Sequence, residues 1–385
     1  MNCSKSPRRR IASNLMFVGG EFVSRPLLTL DPEGRILSIE SYDQVDRLQN
    51  TEFYSGIMTP GFVNAHSHLE LSYLKGRIEP YGGFAAFARQ IGAVRGEATM
   101  EQRICALERE DIKLRSEGVV AVGDVVNGDT SMDCKSRSPI NYRNFGELFG
   151  LSTTSADHME WVLNHPNSSL TPHSTYSLGD KLFKAIASRN IDTPLSIHFM
   201  ESPSEAELYS RSGPLWEWYE RVGFECDFLH YGSPAQRIVE SVPRERSVML
   251  VHNCCVKQAD IDIIMGHFTA PVYWVLCPRS NDYISRIYPP VDLLRSNGLN
   301  ICLGTDSLAS NHSLSIVSEI LSLGESVPLC ESLDWATRQG AKALGFDELG
   351  ELKVGKRPGL NILSAIDYKT MQLTPNSVIS TINVL

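Results

Sequence analysis

Eight apolar, strand-like runs alternate with longer charged segments along most of this chain, and this alternation limits its fold more than any other feature. Continuous apolar strands that alternate with helices indicate a parallel sheet covered on both faces. Eight such units favour a (β/α)8 barrel over an open doubly wound sheet. The runs are 57–65, 119–125, 143–151, 168–173, 193–199, 247–253, 271–278 and 299–306.

The segments between these runs are long enough for helices, and 101–118 is typical of an amphipathic one. Its apolar residues stand among charges, and it ends at Gly118, a residue that commonly follows a helix. No glycine-rich phosphate-binding motif follows the first run. This absence weakens the alternative of a dinucleotide-binding fold.

Short β-type segments stand at both ends of the chain. In the first fifty residues the turn Asp31-Pro32-Glu33-Gly34 separates two strand-like stretches, and residues 349–363 have a similar character. We therefore predict a small β subdomain built from residues 1–55 together with 349–385. Residues 56–348 form the predicted barrel domain.

Charge and cysteine usage exclude several classes of protein. The 385 residues carry a net charge of −9, which argues against nucleic-acid or anionic-membrane partners because both need concentrated positive charge. No apolar stretch approaches the ~20 residues that span a bilayer, and we expect no secretory leader. The nine cysteines are scattered without a CxxC motif, as in a reduced, cytoplasmic protein. The composition is compatible with a homodimer.

Histidine and aspartate residues mark the ends of several predicted strands. His66 and His68 are spaced so that both project from the same face of an extended strand. The carboxyl ends of barrel strands meet at one mouth, so residues far apart in sequence become neighbours there. We therefore predict a metal site from this set, which comprises His66, His68, His173, His198, His252 and Asp306.

The residue types of this set indicate the chemistry of the site. Neutral imidazoles and a carboxylate suit one divalent ion, Zn²⁺ first and Fe or Mn as alternatives. Such an ion lowers the pKa of a bound water toward ~7. Glu201, three residues after His198, is the candidate proton shuttle. The triplet His68-Leu69-Glu70 lacks the PCxxC partner of zinc cytidine deaminases.

These motifs resemble the amidohydrolase superfamily, specifically its mononuclear deaminase and chlorohydrolase branch. The resemblance is carried by PGFVNAHSH (60–68), His198-Phe199-Met200-Glu201, His252 and GTDS (304–307). It implies metal ligation by His66, His68, His198 and Asp306. It also implies that Glu201 protonates a substrate ring nitrogen, that His252 polarises the attacking water, and that Asp306 accepts a proton from this water.

Within this branch, three segments resemble the aminofutalosine deaminases of menaquinone biosynthesis. They are NAHSHLELS (64–72), YGGF (81–84) and GTDSLASN (304–311). The implied reaction replaces the 6-amino group of an adenine nucleoside by oxygen and releases ammonia, with 6-amino-6-deoxyfutalosine converted to futalosine. Deaminases of adenosine, methylthioadenosine or S-adenosylhomocysteine remain alternatives, as do chlorohydrolases, cyclic-amide hydrolases and a metal-binding protein without turnover.

Several polar residues near the predicted mouth fit a nucleoside ligand. A glutamate can accept hydrogen bonds from ribose hydroxyls, a histidine can contact purine or sugar, and a guanidinium can bind a carboxylate with two hydrogen bonds. The roles of Glu147 and Asn127, also near strand ends, are left open. The candidate substrate-binding residues are Glu70, His173, Arg279, Asn281 and Ser307.

Overall fold

The computed structural model describes residues 8–44 and 48–382. Their secondary structure consists of strands and mostly short helices. The strands are β1 Arg9–Val18, β2 Glu21–Ser24, β3 Pro26–Leu30, β4 Ile36–Ser41, β5 Glu52–Pro60, β6 Phe62–Ser67, β7 Val119–Val126, β8 Asn141–Leu148, β9 Ser168–Pro172, β10 Leu195–Phe199, β11 Val248–His252, β12 Val272–Leu276, β13 Asn300–Leu303, β14 Leu360–Ser364 and β15 Val378–Ile382.

The helices follow the strands in chain order. They are α1 Phe84–Val94, α2 Met100–Ser116, α3 Met132–Arg137, α4 Asp180–Ala187, α5 Pro203–Tyr209, α6 Gly213–Val222, α7 Pro234–Ser241, α8 Gln258–His267, α9 Pro278–Ser285, α10 Val291–Ser296, α11 Ile316–Ser322, α12 Leu329–Asp334 and α13 Gly340–Leu344. Turns of 3-10 helix cover Leu69–Leu74, Asp157–Asn164 and Leu229–Tyr231, and a π-helical turn covers Trp335–Gln339.

One sheet of the described residues combines strands from both ends of the chain. Its order is β15-β14-β5-β1-β3-β4, with β2 paired to β1. The predicted turn at residues 31–34 lies between the antiparallel strands β3 and β4. Apolar residues of early and late strands, such as Ile11, Met58 and Leu360, form the core of this sheet.

The eight predicted strand runs correspond to β6–β13, with one interruption. The first run, 57–65, is divided at Gly61 between the end of β5 and the start of β6. The Gly61 N–H donates to the Pro358 carbonyl oxygen, and a Cβ at Gly61 would lie 2.2 Å from Val120 Cγ1. The backbone therefore passes from one sheet to another where only a glycine fits.

These strands form two four-stranded sheets within the described residues, ordered β6-β7-β8-β9 and β10-β11-β12-β13. β8 and β9 run parallel, as do neighbouring strands of the second sheet. Parallel bridges join the sheets just beyond strand ends, between Ser174 and His198 and between Ser67 and Asp306. The predicted α/β class is therefore confirmed, while closure into a barrel stays a prediction.

The chain divides into two compact units. One comprises residues up to 63, 112–121 and those from 315 onward; the other comprises 64–111 and 122–314. Every predicted site residue belongs to the second unit. The predicted division into domains at residues 55 and 349 stays a prediction. Within residues 8–44 and 48–382, none of the helices combines the length and apolar character needed to cross a bilayer.

Candidate metal centre and active-site cavity

Three imidazoles and one carboxylate converge at the carboxyl ends of β6, β10 and β13. His68 Nε2 lies 3.3 Å from His198 Nε2 and 3.5 Å from Asp306 Oδ1. His66 Nε2 lies 3.9 Å from the same oxygen of Asp306. All four side chains are buried. The structure thus brings together the four residues predicted as metal ligands.

The donor arrangement fits a tetrahedral divalent ion. Two nitrogens bound at about 2.0–2.1 Å to one tetrahedral centre lie about 3.3 Å apart, and the His68 and His198 nitrogens have this spacing. Among the described residues, neither ring nitrogen of the buried His66 has a hydrogen-bond partner. A buried lone pair without a donor is costly, and a cation at this position would satisfy it.

Burial also favours the neutral form, which is the form that metals bind, for two of these imidazoles. It lowers the pKa of His66 and of His198 well below the usual histidine value, and the neighbouring histidines lower both further. For Asp306, burial acts to raise the pKa, but His68, His252 and two hydroxyls outweigh it and lower the pKa below the usual value. The Asp306 carboxylate is therefore ionised while the His66 and His198 rings are neutral.

Hydrogen bonds fix the orientation of the proposed ligands. His198 donates its Nδ1–H to the His173 carbonyl oxygen at 2.8 Å, which leaves Nε2 as the free lone pair. The hydroxyls of Ser280 and Ser310 donate to Asp306 Oδ2 at 2.7 and 2.6 Å, so Oδ1 faces the histidines. Such partners hold a metal ligand in one orientation. Sequence reasoning missed both serines.

Glu201 and His252 lie beside this group, as the sequence predicted for proton-handling residues. Glu201 Oε1 is 3.7 Å from His252 Nε2. Burial, with added effects of Asp306 and Glu205, raises the pKa of Glu201 well above its usual value. Burial lowers the pKa of His252 to about 4. Glu201 therefore holds its proton more readily than an ordinary glutamate, and it lies next to an imidazole that is neutral at neutral pH.

The backbone is strained at two of these residues. His252 has φ 81° and Asp306 has φ 55°, in the left-handed region that non-glycine residues rarely adopt. Such strain persists only where the surroundings hold it. Asn281 contributes at His252, because its side-chain Nδ2–H donates to His252 Nδ1 at 3.0 Å. This bond leaves Nε2 of His252 facing Glu201.

A cavity of about 390 Å³ opens onto the group. Predicted residues that line it are His68, His173, His198, Glu201, His252, Asp306 and Ser307. Asn127 and Glu147, whose roles were left open, line it as well, and Asn127 Nδ2 donates to Glu147 Oε2 at 2.9 Å. The cavity therefore joins the candidate metal ligands to polar groups able to orient a ligand.

Three predicted substrate-binding residues do not line this cavity. Glu70 accepts hydrogen bonds from the Asn127 backbone N–H and the Ser131 hydroxyl. Arg279 donates to the hydroxyl and carbonyl oxygens of Ser313. Asn281 supports His252 instead of facing the cavity. The hydrogen-bonding capacity of these side chains is used largely within the protein, so their substrate roles stay predictions.

Sequence reasoning missed the apolar wall of the cavity and the one arginine, Arg95, among the described residues that line it. On α1 the lining residues are Phe84, Phe87, Ala88 and Ile91, followed by Arg95. Their spacing of three or four residues marks one face of a helix, and this pattern was a signal available in the sequence. The other apolar lining residues are Leu71, Phe149, Leu151, Tyr176, Leu215, Trp218, Tyr219 and Phe224.

Comparisons with known proteins identify relatives of this chain. The sequence profile of the amidohydrolase family matches residues 57–383. An adenosine deaminase of Helicobacter pylori is 26% identical over 331 residues, covering 80% of this chain and 79% of that protein. A 5-methylthioadenosine/S-adenosylhomocysteine deaminase of Thermoanaerobacter pseudethanolicus is 24% identical over 377 residues, covering 84% and 80%.

A solved structure shows a similar fold. Helicobacter pylori aminofutalosine deaminase in complex with methylthio-coformycin superposes with a TM-score of 0.80 at 24% identity, covering 93% of each chain. The fold of the described residues is therefore shared with an enzyme of this kind.

Proposed function

The chain belongs to the amidohydrolase family, and from this premise we propose that it is a metal-dependent deaminase of 6-aminopurine nucleosides. The family match confirms the resemblance predicted from the motifs. The protein is an enzyme, a hydrolase acting on C–N bonds. The proposed reaction replaces the exocyclic amino group by oxygen and releases ammonia.

The proposed metal ligands are His66, His68, His198 and Asp306, which fit one Zn²⁺ and leave Fe or Mn as alternatives. When bound, such an ion supplies Lewis acidity and lowers the pKa of a water molecule toward ~7. The chain orients the ligands through the His173 carbonyl group and the two serine hydroxyls.

Three residues carry the proposed proton transfers. Burial raises the pKa of Glu201, which favours its carboxyl group as the proton donor to a purine ring nitrogen. His252 is neutral and held by Asn281, so its Nε2 can orient the attacking water. Asp306 is ionised, so its carboxylate can accept a proton from that water. A positioned acid or base of this kind typically contributes about 10²–10⁴-fold to the rate.

The observation that carries the proposal is the placement of Glu201 and His252 against the ligand group inside one cavity. Holding an ion requires neither residue. A pocket of about 390 Å³ also lies within the range of small-molecule sites, roughly 300–1,000 Å³.

For the substrate, we propose 6-amino-6-deoxyfutalosine first, which would place the enzyme in menaquinone biosynthesis. The fold shared with an aminofutalosine deaminase supports this choice. Adenosine, methylthioadenosine and S-adenosylhomocysteine are the alternatives, and relatives with those names support them. His173 and Ser307 are proposed to contact the nucleoside, because both line the cavity.

We propose two structural features alongside this function. The strands β6–β13 close into a (β/α)8 barrel, supported by the bridges from Ser174 to His198 and from Ser67 to Asp306. The sheet built from both chain ends forms a separate small subdomain. A cytoplasmic enzyme without nucleic-acid or membrane partners is proposed as well.

The test is ammonia release from a panel of adenine nucleosides, together with the shift of the purine ultraviolet spectrum. Glu201→Gln keeps the shape of the side chain but not its acidic proton. We expect this variant to lose about 10²-fold or more in kcat while its metal content equals that of the wild type. Unchanged turnover would refute the role of Glu201. If no nucleoside releases ammonia while a chlorotriazine releases chloride or a cyclic amide is opened, the deaminase is refuted.

A further inference from the structure

The apolar part of the cavity lies between faces of α1 and α6, and we call it the aromatic cleft: Phe84, Phe87, Ile91, Leu215, Trp218 and Tyr219. The exposed fraction of Trp218 is 47%, and that of Phe224 beside it is 37%. On α1, no residue is fully buried although the helix is mainly apolar. Large apolar groups gathered around an open cavity are typical of a ligand site.

Arg95 stands at the end of this α1 face and is the one Lys or Arg among the residues that line the cavity. The side chain is half-buried, and its guanidinium carbon lies 6.0 Å from the centre of the Phe149 ring. No carboxylate of the described residues is paired with it. A guanidinium in an aromatic surrounding binds a carboxylate through two parallel hydrogen bonds.

A row of rings separates Arg95 from the metal ligands. His198 stacks on His173 at 4.6 Å, His173 meets Phe149 at 6.3 Å, and Phe149 meets the Arg95 guanidinium at 6.0 Å. A purine that reacts beside His198 would therefore direct its sugar and 5′ substituent along these rings. The Arg95 guanidinium lies at the end of this row that is away from the metal ligands.

We infer that Arg95 determines substrate specificity by binding a carboxylate at the end of the nucleoside's 5′ substituent, whose apolar stem fills the aromatic cleft. This inference rests on the proposed deaminase function and narrows its substrate class. A single guanidinium matches the single charge of a carboxylate.

The test compares two substrates that differ only in this charge. One is a 6-aminopurine nucleoside whose 5′ substituent ends in a benzoate, and the other is its methyl ester. For the wild type we expect kcat/KM to be roughly 10- to 100-fold higher for the acid, which is the value of a hydrogen bond to a charged group. Arg95→Met should bring this ratio close to one. Because the ratio is taken within one protein, a partial loss of folded enzyme cancels.

The matched control is Arg89→Met, which removes an exposed arginine of the same helix that does not line the cavity. This variant should keep the wild-type ratio. If the wild type deaminates acid and ester equally well, or if Arg95→Met keeps the preference, the inference is wrong while the deaminase stands. A preference for adenosine 5′-monophosphate over the benzoate would also overturn it. If no nucleoside releases ammonia, the proposed function itself fails.

Discussion

Glu205 makes the stability of this protein depend on pH in a predictable direction. The residue lies in α5 and is 1% exposed. Burial raises the pKa of its carboxyl group to about 7, although the Thr175 hydroxyl and the backbone N–H groups of Met200 and Glu201 favour the charged form. The folded state therefore retains a proton that the unfolded state releases near the ordinary glutamate pKa.

The sign and size of this pH dependence of stability follow from proton linkage. Between the ordinary pKa and about 7 the folded protein binds more protons than the unfolded one, so the free energy of unfolding falls as pH rises. Moving this pKa from 4.5 to about 7 corresponds to about 3 kcal/mol, because each tenfold change in proton affinity is about 1.4 kcal/mol. The stabilisation is complete below the ordinary pKa and is lost as pH rises through about 7.

Glu205→Gln removes the titrating group and keeps its shape. Urea unfolding of wild type and variant at several values from about pH 5 to about pH 8 gives the difference between their unfolding free energies. Over this range we expect the difference to shift by about 2.5 kcal/mol in favour of the variant, because a small part of the effect lies below about pH 5. Glu217→Gln, at an exposed position of α6, should show no such shift. A Glu205→Gln curve parallel to the wild type would refute the reasoning.

Two further substitutions test how the site is held. Asn281→Ala removes the hydrogen-bond donor to His252 Nδ1. Because the imidazole ring can then rotate, we expect kcat to fall about 10-fold or more with a smaller change in KM. Steady-state kinetics in which only KM changes would contradict this. Gly304→Ala would place a Cβ 2.9 Å from His66 Cβ, 3.0 Å from Cys277 Sγ and 3.0 Å from the His66 backbone nitrogen. We expect the free energy of unfolding to fall by about 1–3 kcal/mol in thermal unfolding experiments, and the metal content to fall as well. Wild-type values of both quantities would count against the close approach of these segments.

The motif residues were predictable because each chemical role needs a particular side chain at a strand end. The spacing of His66 and His68, and the positions of His198 and Asp306 after apolar runs, led to the ligand group that the structure assembles. The family resemblance and the hydrolase class were confirmed by the match over residues 57–383 and by the deaminase relatives. Glu201 was found through its distance from His198 along the chain, and it lies beside His252.

The substrate side was less predictable, because charge and position at a strand end do not tell where a side chain points. Glu70 was expected at the mouth, yet its oxygens bond to Asn127 and Ser131, and Glu147 lines the cavity. Arg279 was expected to bind a carboxylate, yet it is held by Ser313. Whether a polar side chain is available to a ligand depends on partners supplied by other segments.

The sequence by itself determined the α/β class, the identity of the donor groups and the family, because periodicity and residue type carry that information locally. The tertiary structure alone decided which side chains face the cavity and which are satisfied within the protein. Arg95 illustrates the difference: its position on the α1 face could be read from spacing, but its neighbour Phe149 belongs to another part of the chain. Only packing brings a helix face, a strand end and a row of rings against one another.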